Sequence, residues 1–209
     1  PFGSKSVVQI KDRKILTNFD LGKQYKFNST VKKYISKGKL LDGQDIGVLF
    51  LERSIKLLGD KQFLGIILHD GIFSNSSYEY IRQYIRENCR IKAIIKLTDE
   101  AFKPYSDSGG TETSFLFCER GVERPDDECF FAIANHVGYK YKRNKMMLDD
   151  NDLPELLDAY KNKKNYKESK WIKLPTIPIY GRLDPQYHCK HIEFKYAKYV
   201  PLRDFLLNN

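Results

Sequence analysis

The sequence predicts an α/β fold: part of an open, largely parallel sheet with an antiparallel hairpin at its edge and a short carboxyl-terminal extension. Three observations predict it. Residues 63–68 form a near-continuous apolar run, as a strand covered on both faces reads, and they enter a polar turn of His69, Asp70, Gly71, Ser74 and Asn75. A helical pattern over 76–88 then leads to a second apolar run over 91–97, the spacing of a strand–helix–strand crossover. Two further strand-like runs, 113–120 and 128–135, are joined by the turn-rich segment 121–127 and read as an antiparallel hairpin.

Size and composition bound the rest. A chain of 209 residues fills one or two domains and buries a sizeable core without disulfides or metal. Hydrophobic residues at 41% and charged residues at 30% are ordinary for a globular protein. Lys and Arg number 36 against 27 Asp and Glu, a net charge of +9. That excess favours a polyanionic partner, with a merely basic surface as the alternative. Cys89, Cys118, Cys129 and Cys189 are widely spaced and form no C-x-x-C pair, which points to reduced thiols and a cytoplasmic protein. No secretory leader and no apolar run of bilayer-spanning length is visible, so no membrane association is expected. The first residue is Pro1 and not Met, and a piece of a longer chain is expected.

In chain order, residues 6–43 are polar apart from Val7-Val8 and Ile15-Leu16, and read as a long connection. Within it, 25–39 interleaves aromatic and basic residues. Tyr25, Lys26, Lys32 and Lys33 suit a loop lying on a phosphate backbone and stacking on bases; a solvated connection with aromatic anchors fits equally. Residues 44–59 carry Ile46, Leu49, Phe50, Leu57 and Leu58 at helical spacing, with Gly59 as the stop. Val48, Leu51 and Ile55 widen the apolar surface, and Glu52, Arg53 and Lys56 mark the wet edge. The helix of 76–88 is opened by Asn75-Ser76-Ser77 as a cap and aligns Tyr78, Ile81, Tyr84 and Ile85. Lys92 and Lys96 interrupt the strand of 91–97. After Val137, the segment 138–145 is strongly basic. Lys140, Lys142 and Arg143 are candidate phosphate contacts there, against a solvated turn. Asp149, Asp150 and Asp152 precede a helix over about 153–163, a charged linker follows, and the tail from Trp171 is rich in proline.

Five of these segments, in this order, resemble the N-6 adenine DNA methyltransferases, in particular the modification subunits of type I restriction systems. Pro1-Phe2-Gly3 resembles the end of the family's Asn-Pro-Pro-Phe motif, and residues 48–58 resemble the helix that follows it. Residues 63–75 resemble its "GIVLPDGILSN" segment, with His69 where proline is usual. Residues 91–97 and 100–104 resemble "IKAIISLPEETFKP", and 110–117 resemble "VKTSILFL". Gly138-Tyr139 and Asn151-Asp152-Leu153-Pro154 also look like family features. The resemblance spans about 1–163 as a partial methylase domain. The segment 164–209 is then a linker and, on the weaker likeness of 179–187, the start of a target-recognition region.

The resemblance implies the carboxyl half of a Rossmann-like methyltransferase sheet. It implies transfer of a methyl group from S-adenosylmethionine to an adenine flipped out of duplex DNA. Of the catalytic residues it implies, Phe2 would stack on the base and Pro1 would shape the loop. It implies as partners duplex DNA, a specificity subunit or fused recognition domain, and a restriction subunit, in a bacterium or archaeon. The asparagine and first proline of the motif lie outside the sequence, as does the family's glycine-rich donor loop, so this stretch is expected to be inactive alone. Gly109-Gly110 reads as a turn and not a donor cradle, and an apolar sheet edge is expected to promote self-association. His188, Cys189 and His191 form too small a group for a zinc site, and His69-Asp70 reads as packing or hydrogen bonding. The alternatives are a non-catalytic DNA-binding or assembly module, and a methyltransferase acting on RNA or protein.

Overall fold

The computed structural model describes residues 9–105, 112–142 and 145–189. Pro1, Phe2, Gly109, Gly110, Arg143 and His191 lie outside the described residues, as does the tail beyond 189.

In chain order the elements are β1 (Gln9–Ile10), α1 (Arg13–Leu16), β2 (Lys23–Asn28), β3 (Lys33–Leu40), β4 (Gln44–Asp45), α2 (Ile46–Leu57), β5 (Phe63–His69), α3 (Gly71–Ser74), α4 (Glu79–Asn88), β6 (Cys89–Leu97), β7 (Thr113–Arg120), β8 (Glu128–Ala134), β9 (Val137–Lys142), β10 (Lys145–Asn151), α5 (Leu153–Lys161), β11 (Ser169–Lys173) and α6 (Pro185–Cys189). Five strands make the central sheet in the order β11-β8-β6-β7-β5. One face packs on α2 and α4 through Val48, Leu51, Ile55, Ile81 and Ile85. On the other, Leu156 and Ala159 of α5 meet Ala93, Phe130, Ala132 and Ala134.

The α/β expectation holds, and the strands fall where the apolar runs place them, but the pairing differs. β5 and β6 are parallel to one another, yet β7 lies between them and runs antiparallel to both. β8 pairs in parallel with β6 on its far side. The expected hairpin of 113–120 with 128–135 therefore does not form: β7 sits inside the sheet, and the antiparallel strand at the other end is β11, paired with β8. The connection after β7 passes the start of β6, where Arg90 Nε donates to both oxygens of Asp127 at 3.0 Å. A turn signal reveals where a chain reverses, not which edge it returns to.

The polar stretch before α2 is also more regular than its composition suggests. β2 and β3 form an antiparallel hairpin with Phe27 opposite Tyr34. Its turn is held by Asn28 Oδ1, which accepts from Thr30 N at 3.0 Å and Val31 N at 3.3 Å, and Lys32 takes a left-handed φ of 50°. Gln83 of α4 anchors the hairpin, accepting from Tyr34 N at 2.7 Å and donating to Tyr34 O at 3.0 Å.

α2 is shorter than the 44–59 read from the sequence: Gln44 and Asp45 form β4, Asp45 caps Gly47 N at 2.7 Å, and the helix runs from Ile46 to Leu57 with extended Leu58 as its cap. Glu52 is not at a wet edge. It is fully buried, and its carboxylate accepts from Asp20 N at 2.8 Å and Leu21 N at 2.7 Å while pairing with Lys56 at 2.6 Å. Phe50 and Leu57, read as part of the buried stripe, are 51% and 71% exposed. α5 ends at Lys161. Its first N–H is met by Asn151 Oδ1 at 3.1 Å, while Asp152 turns inward to accept from Asn135 N and His136 N at 3.0 and 2.9 Å.

β11 pairs with β8 along five residues, and Leu174, Leu183 and Cys189 belong to the same core as β5 and β6. All four cysteines are buried and unpaired. Among the described residues no helix is long and apolar enough to cross a membrane.

Candidate functional site

The carboxyl ends of β5 and β6 are where an open α/β sheet exposes polar groups to ligands. Here they converge on a buried charged cluster. Asp70, the residue after β5, is 5% exposed. Its Oδ1 accepts from Ser114 Oγ of β7 at 2.6 Å, and its Oδ2 lies 3.4 Å from Lys96 Nζ of β6. Lys96 also reaches Glu112 at 3.2 Å, and Asp70 N donates to Glu112 O at 3.1 Å. The cluster thus ties three strands together at one end. It explains why a lysine interrupts the apolar β6: buried, it is paired as burial of a charge requires. His69 stays exposed, and its Nδ1 accepts from Gly71 N at 3.1 Å. The packing and hydrogen-bond reading of His69-Asp70 fits this geometry.

Next to the cluster, a cavity of about 390 Å³ opens at the carboxyl ends of β6 and β8, lined by Lys96, Thr98, Asp99, Glu112, Asn135 and Gln186. Gln186 belongs to α6, so the tail contributes a wall.

The basic candidates divide. Tyr25 faces inward, stacked on Tyr80 with ring centroids 5.0 Å apart, and burial pushes its hydroxyl pKa up to about 12. Tyr25 is thus partly buried and packs against the core. Lys26 lines an open groove of about 460 Å³ on the hairpin with Phe27, Asn28, Ile35 and Lys37. Lys32 is in the hairpin turn, and Lys33 pairs with Glu87 at 3.1 Å. Lys140 lies on β9 and pairs with Asp149 across the second hairpin at 3.3 Å. Lys142 ends β9, and its side chain is not among those described. The structure does not bring the two basic hairpins into one sheet: β2-β3 and β9-β10 are separate two-stranded units. β2-β3 is docked on α4 by Gln83, whereas β9-β10 is docked beside the 3-10 turn Asp99–Tyr105, where Tyr139 Oη donates to Ala101 O at 2.6 Å.

His188 donates Nε2–H to Arg182 O at 2.9 Å and packs on Phe131. Burial lowers its pKa below the usual 6.5. Among the described residues no group of three His, Cys, Asp or Glu side chains is arranged to hold a metal. Sequence reasoning missed the roles of Lys96 and Ser114 in the cluster, since a charged or hydroxylic residue inside a run carries no sign of its partner.

The chain matches the model of the family described as N-6 DNA Methylase over residues 6–178. It belongs to the N-6 DNA methylase family. The match runs through β11 and so takes in more of the chain than the motif resemblance. Over 84 residues, 40% of this chain, it is 32% identical to the type I restriction enzyme EcoEI methylase subunit of Escherichia coli, and it covers 16% of that protein. Two solved structures share its fold. One is the methyltransferase subunit of a type I restriction-modification system from Streptococcus thermophilus, with a TM-score of 0.51 at 19% identity over 66% of this chain and 29% of that one. The other is a modification subunit of a type I restriction enzyme from Vibrio vulnificus, with a TM-score of 0.52 at 19% identity over 64% and 28%. The chain therefore spans under a third of the length of these relatives.

Proposed function

We propose that this chain is part of the catalytic domain of a DNA adenine N-6 methyltransferase of a restriction-modification system, acting in the cytoplasm of a bacterium or archaeon. The observation that carries the reading is the family match over 6–178, which covers the whole described sheet. On this reading the parent enzyme takes its methyl group from S-adenosylmethionine and works with duplex DNA and a specificity subunit or fused recognition domain.

On this reading the donor site lies mainly outside the described residues: the buried carboxylate at the end of β5, Asp70, serves Ser114 and Lys96 within the sheet. What this part supplies is position. The cluster fixes the turn after β5, and the outer face of the β2-β3 hairpin offers Lys26 and Lys32 to a phosphate backbone. Phe2 is assigned base stacking and Pro1 loop shape. Lys33, Lys140, Lys142 and Arg143 are assigned secondary phosphate contacts. Self-association is supported by β5, which stands at the end of the described sheet, and by the 57% exposure of Phe63 on it.

The test pairs two measurements. Titration of the 209-residue chain with S-adenosylmethionine is expected to give no saturable heat. The full-length parent, given labelled S-adenosylmethionine with duplex DNA, RNA and protein in competition, is expected to label adenine N6 in the duplex. Micromolar binding by the short chain would overturn the donor-site assignment. Labelling of RNA or protein in place of DNA would overturn the substrate.

A further inference from the structure

α4 carries two arginines one turn apart, Arg82 and Arg86, which are 1% and 2% exposed. Arg86 meets Glu123 through Nε at 2.6 Å and Nη2 at 2.7 Å. It also donates to the main chain of the tail, at Leu174 O, Ile177 O and Pro178 O. Arg82 is different. All four of its hydrogen bonds among the described residues go to main-chain carbonyls, and they join two separate segments. Nη1 donates to Ile72 O at 2.9 Å and Asn75 O at 2.8 Å, both in the turn that follows β5. Nε shares its proton between Tyr180 O at 3.1 Å and Gly181 O at 2.8 Å, both in the tail. A direct main-chain bond, Leu183 N to Phe73 O at 2.9 Å, joins the same two segments.

α3 is a single turn of four residues, and Asp70 at its start makes no side-chain cap bond because its carboxylate serves Ser114 and Lys96. Its local bonds include Phe73 N to Asp70 O at 2.9 Å, Asn75 N to Gly71 O at 2.8 Å and Ser74 Oγ to Asp70 O at 3.3 Å. Ile72 and Phe73 anchor it in the core. Its polar links to the rest of the fold are the Asp70 cluster on one side and Arg82 with the tail on the other. A planar guanidinium whose donors point two ways suits this junction, whereas an ammonium would not reach both sets of carbonyls in one geometry.

We propose that Arg82 is a positioning residue that locks the turn 70–75 to the tail 180–183, so that displacement of the tail is passed to the carboxyl end of β5. The coupling is a property of this chain and does not rest on the methylase reading.

Gly181 gives a way to push on the tail alone. A Cβ there would lie 2.8 Å from Ile177 Cγ2 and 2.9 Å from Pro178 O, so Gly181→Ala must move the tail and the carbonyl that Arg82 holds. It alters no atom of α4 or of the turn. Amide hydrogen exchange of the 209-residue chain reads the result. Gly181→Ala and Arg82→Gln are each expected to speed exchange at Phe73 and Asn75 by about tenfold or more, with Ile94 and Ile95 of β6 unchanged. Arg82→Lys is expected to fall between wild type and Arg82→Gln. If Gly181→Ala speeds exchange only within 180–183 and leaves the turn as it was, the coupling is refuted. An equal acceleration in β6 refutes it too, because the effect would then be general loosening. Should Arg82→Gln fail to fold, Gly181→Ala decides alone.

Discussion

Asp70→Asn tests the cluster that ties β5, β6 and β7. Asparagine keeps an oxygen for Ser114 Oγ, now 2.6 Å away, and removes the charge that faces Lys96. Breaking a well-formed buried ion pair costs about 3–5 kcal/mol. Two features reduce that here. The Lys96–Asp70 distance of 3.4 Å is long, and Lys96 keeps Glu112 at 3.2 Å, whose side chain is 64% exposed and solvated. A loss of about 2 kcal/mol is expected. For a domain of this size that lowers the thermal midpoint by about 4–8 °C. Lys96→Met, which leaves Asp70 with the Ser114 hydroxyl, should cost about the same. The double variant is the decisive arm: with both charges gone it should cost about 2 kcal/mol and not the sum of about 4. Thermal unfolding at pH 7, followed by circular dichroism and calorimetry, measures all three. Additivity of the single variants to within about 0.5 kcal/mol would show that the two side chains do not interact, and the cluster argument would fail.

Glu52→Gln puts an amide NH₂ against a main-chain N–H of Asp20 or Leu21 and removes the charge facing Lys56; a loss of about 2 kcal/mol is expected in the same unfolding assay, and an unchanged midpoint would contradict the buried-carboxylate reading. Lys26→Glu with Lys32→Glu should weaken duplex binding by the parent enzyme and flatten its salt dependence, measured by fluorescence anisotropy at several salt concentrations; equal affinity and slope would remove the β2-β3 hairpin from the interface. His188 has a pKa lowered by burial, so its contribution to stability is complete above the ordinary value of 6.5 and is lost as pH falls through the lower folded value. Unfolding scans should show wild type losing more stability below about pH 6.5 than His188→Gln does, and parallel pH profiles would refute the assignment.

Much of the architecture was legible because its signals are local. β5, β6, β7 and β8 are apolar runs bounded by turn residues, and α2 and α4 have helical spacing, so their positions follow from the chain itself. Partner choice does not. Nothing in 113–135 distinguishes a hairpin from two strands that flank β6, because the decision rests on contacts between segments distant in sequence, such as Arg90 with Asp127. Polar alternation hid the β2-β3 hairpin, whose aromatic residues pack on Tyr80 and Tyr180. At the site, His69 and Asp70 were visible as polar residues at a strand end. Lys96 read as an interruption and Glu52 as part of a wet helix edge, although both are buried. A buried charge and a surface charge are the same letter in a sequence, and only the partners tell them apart.

The placement of β7 also governs the order in which this sheet can assemble. β5 and β6 leave the ribosome first, but they share no hydrogen bonds, since every one of their mutual contacts in the sheet is mediated by a strand made later. Thr113 stands opposite both His69 and Leu97, at the start of the strand that zips the other two together. A nascent chain that stops before residue 113 therefore holds two apolar strands with no ladder between them, and the cost of closing both loops falls on a single late segment. Such long-range pairing slows folding. During synthesis, the interval between the emergence of β6 and that of β7 leaves these apolar strands without the partner that joins them, and unpaired strand edges of this kind favour aggregation.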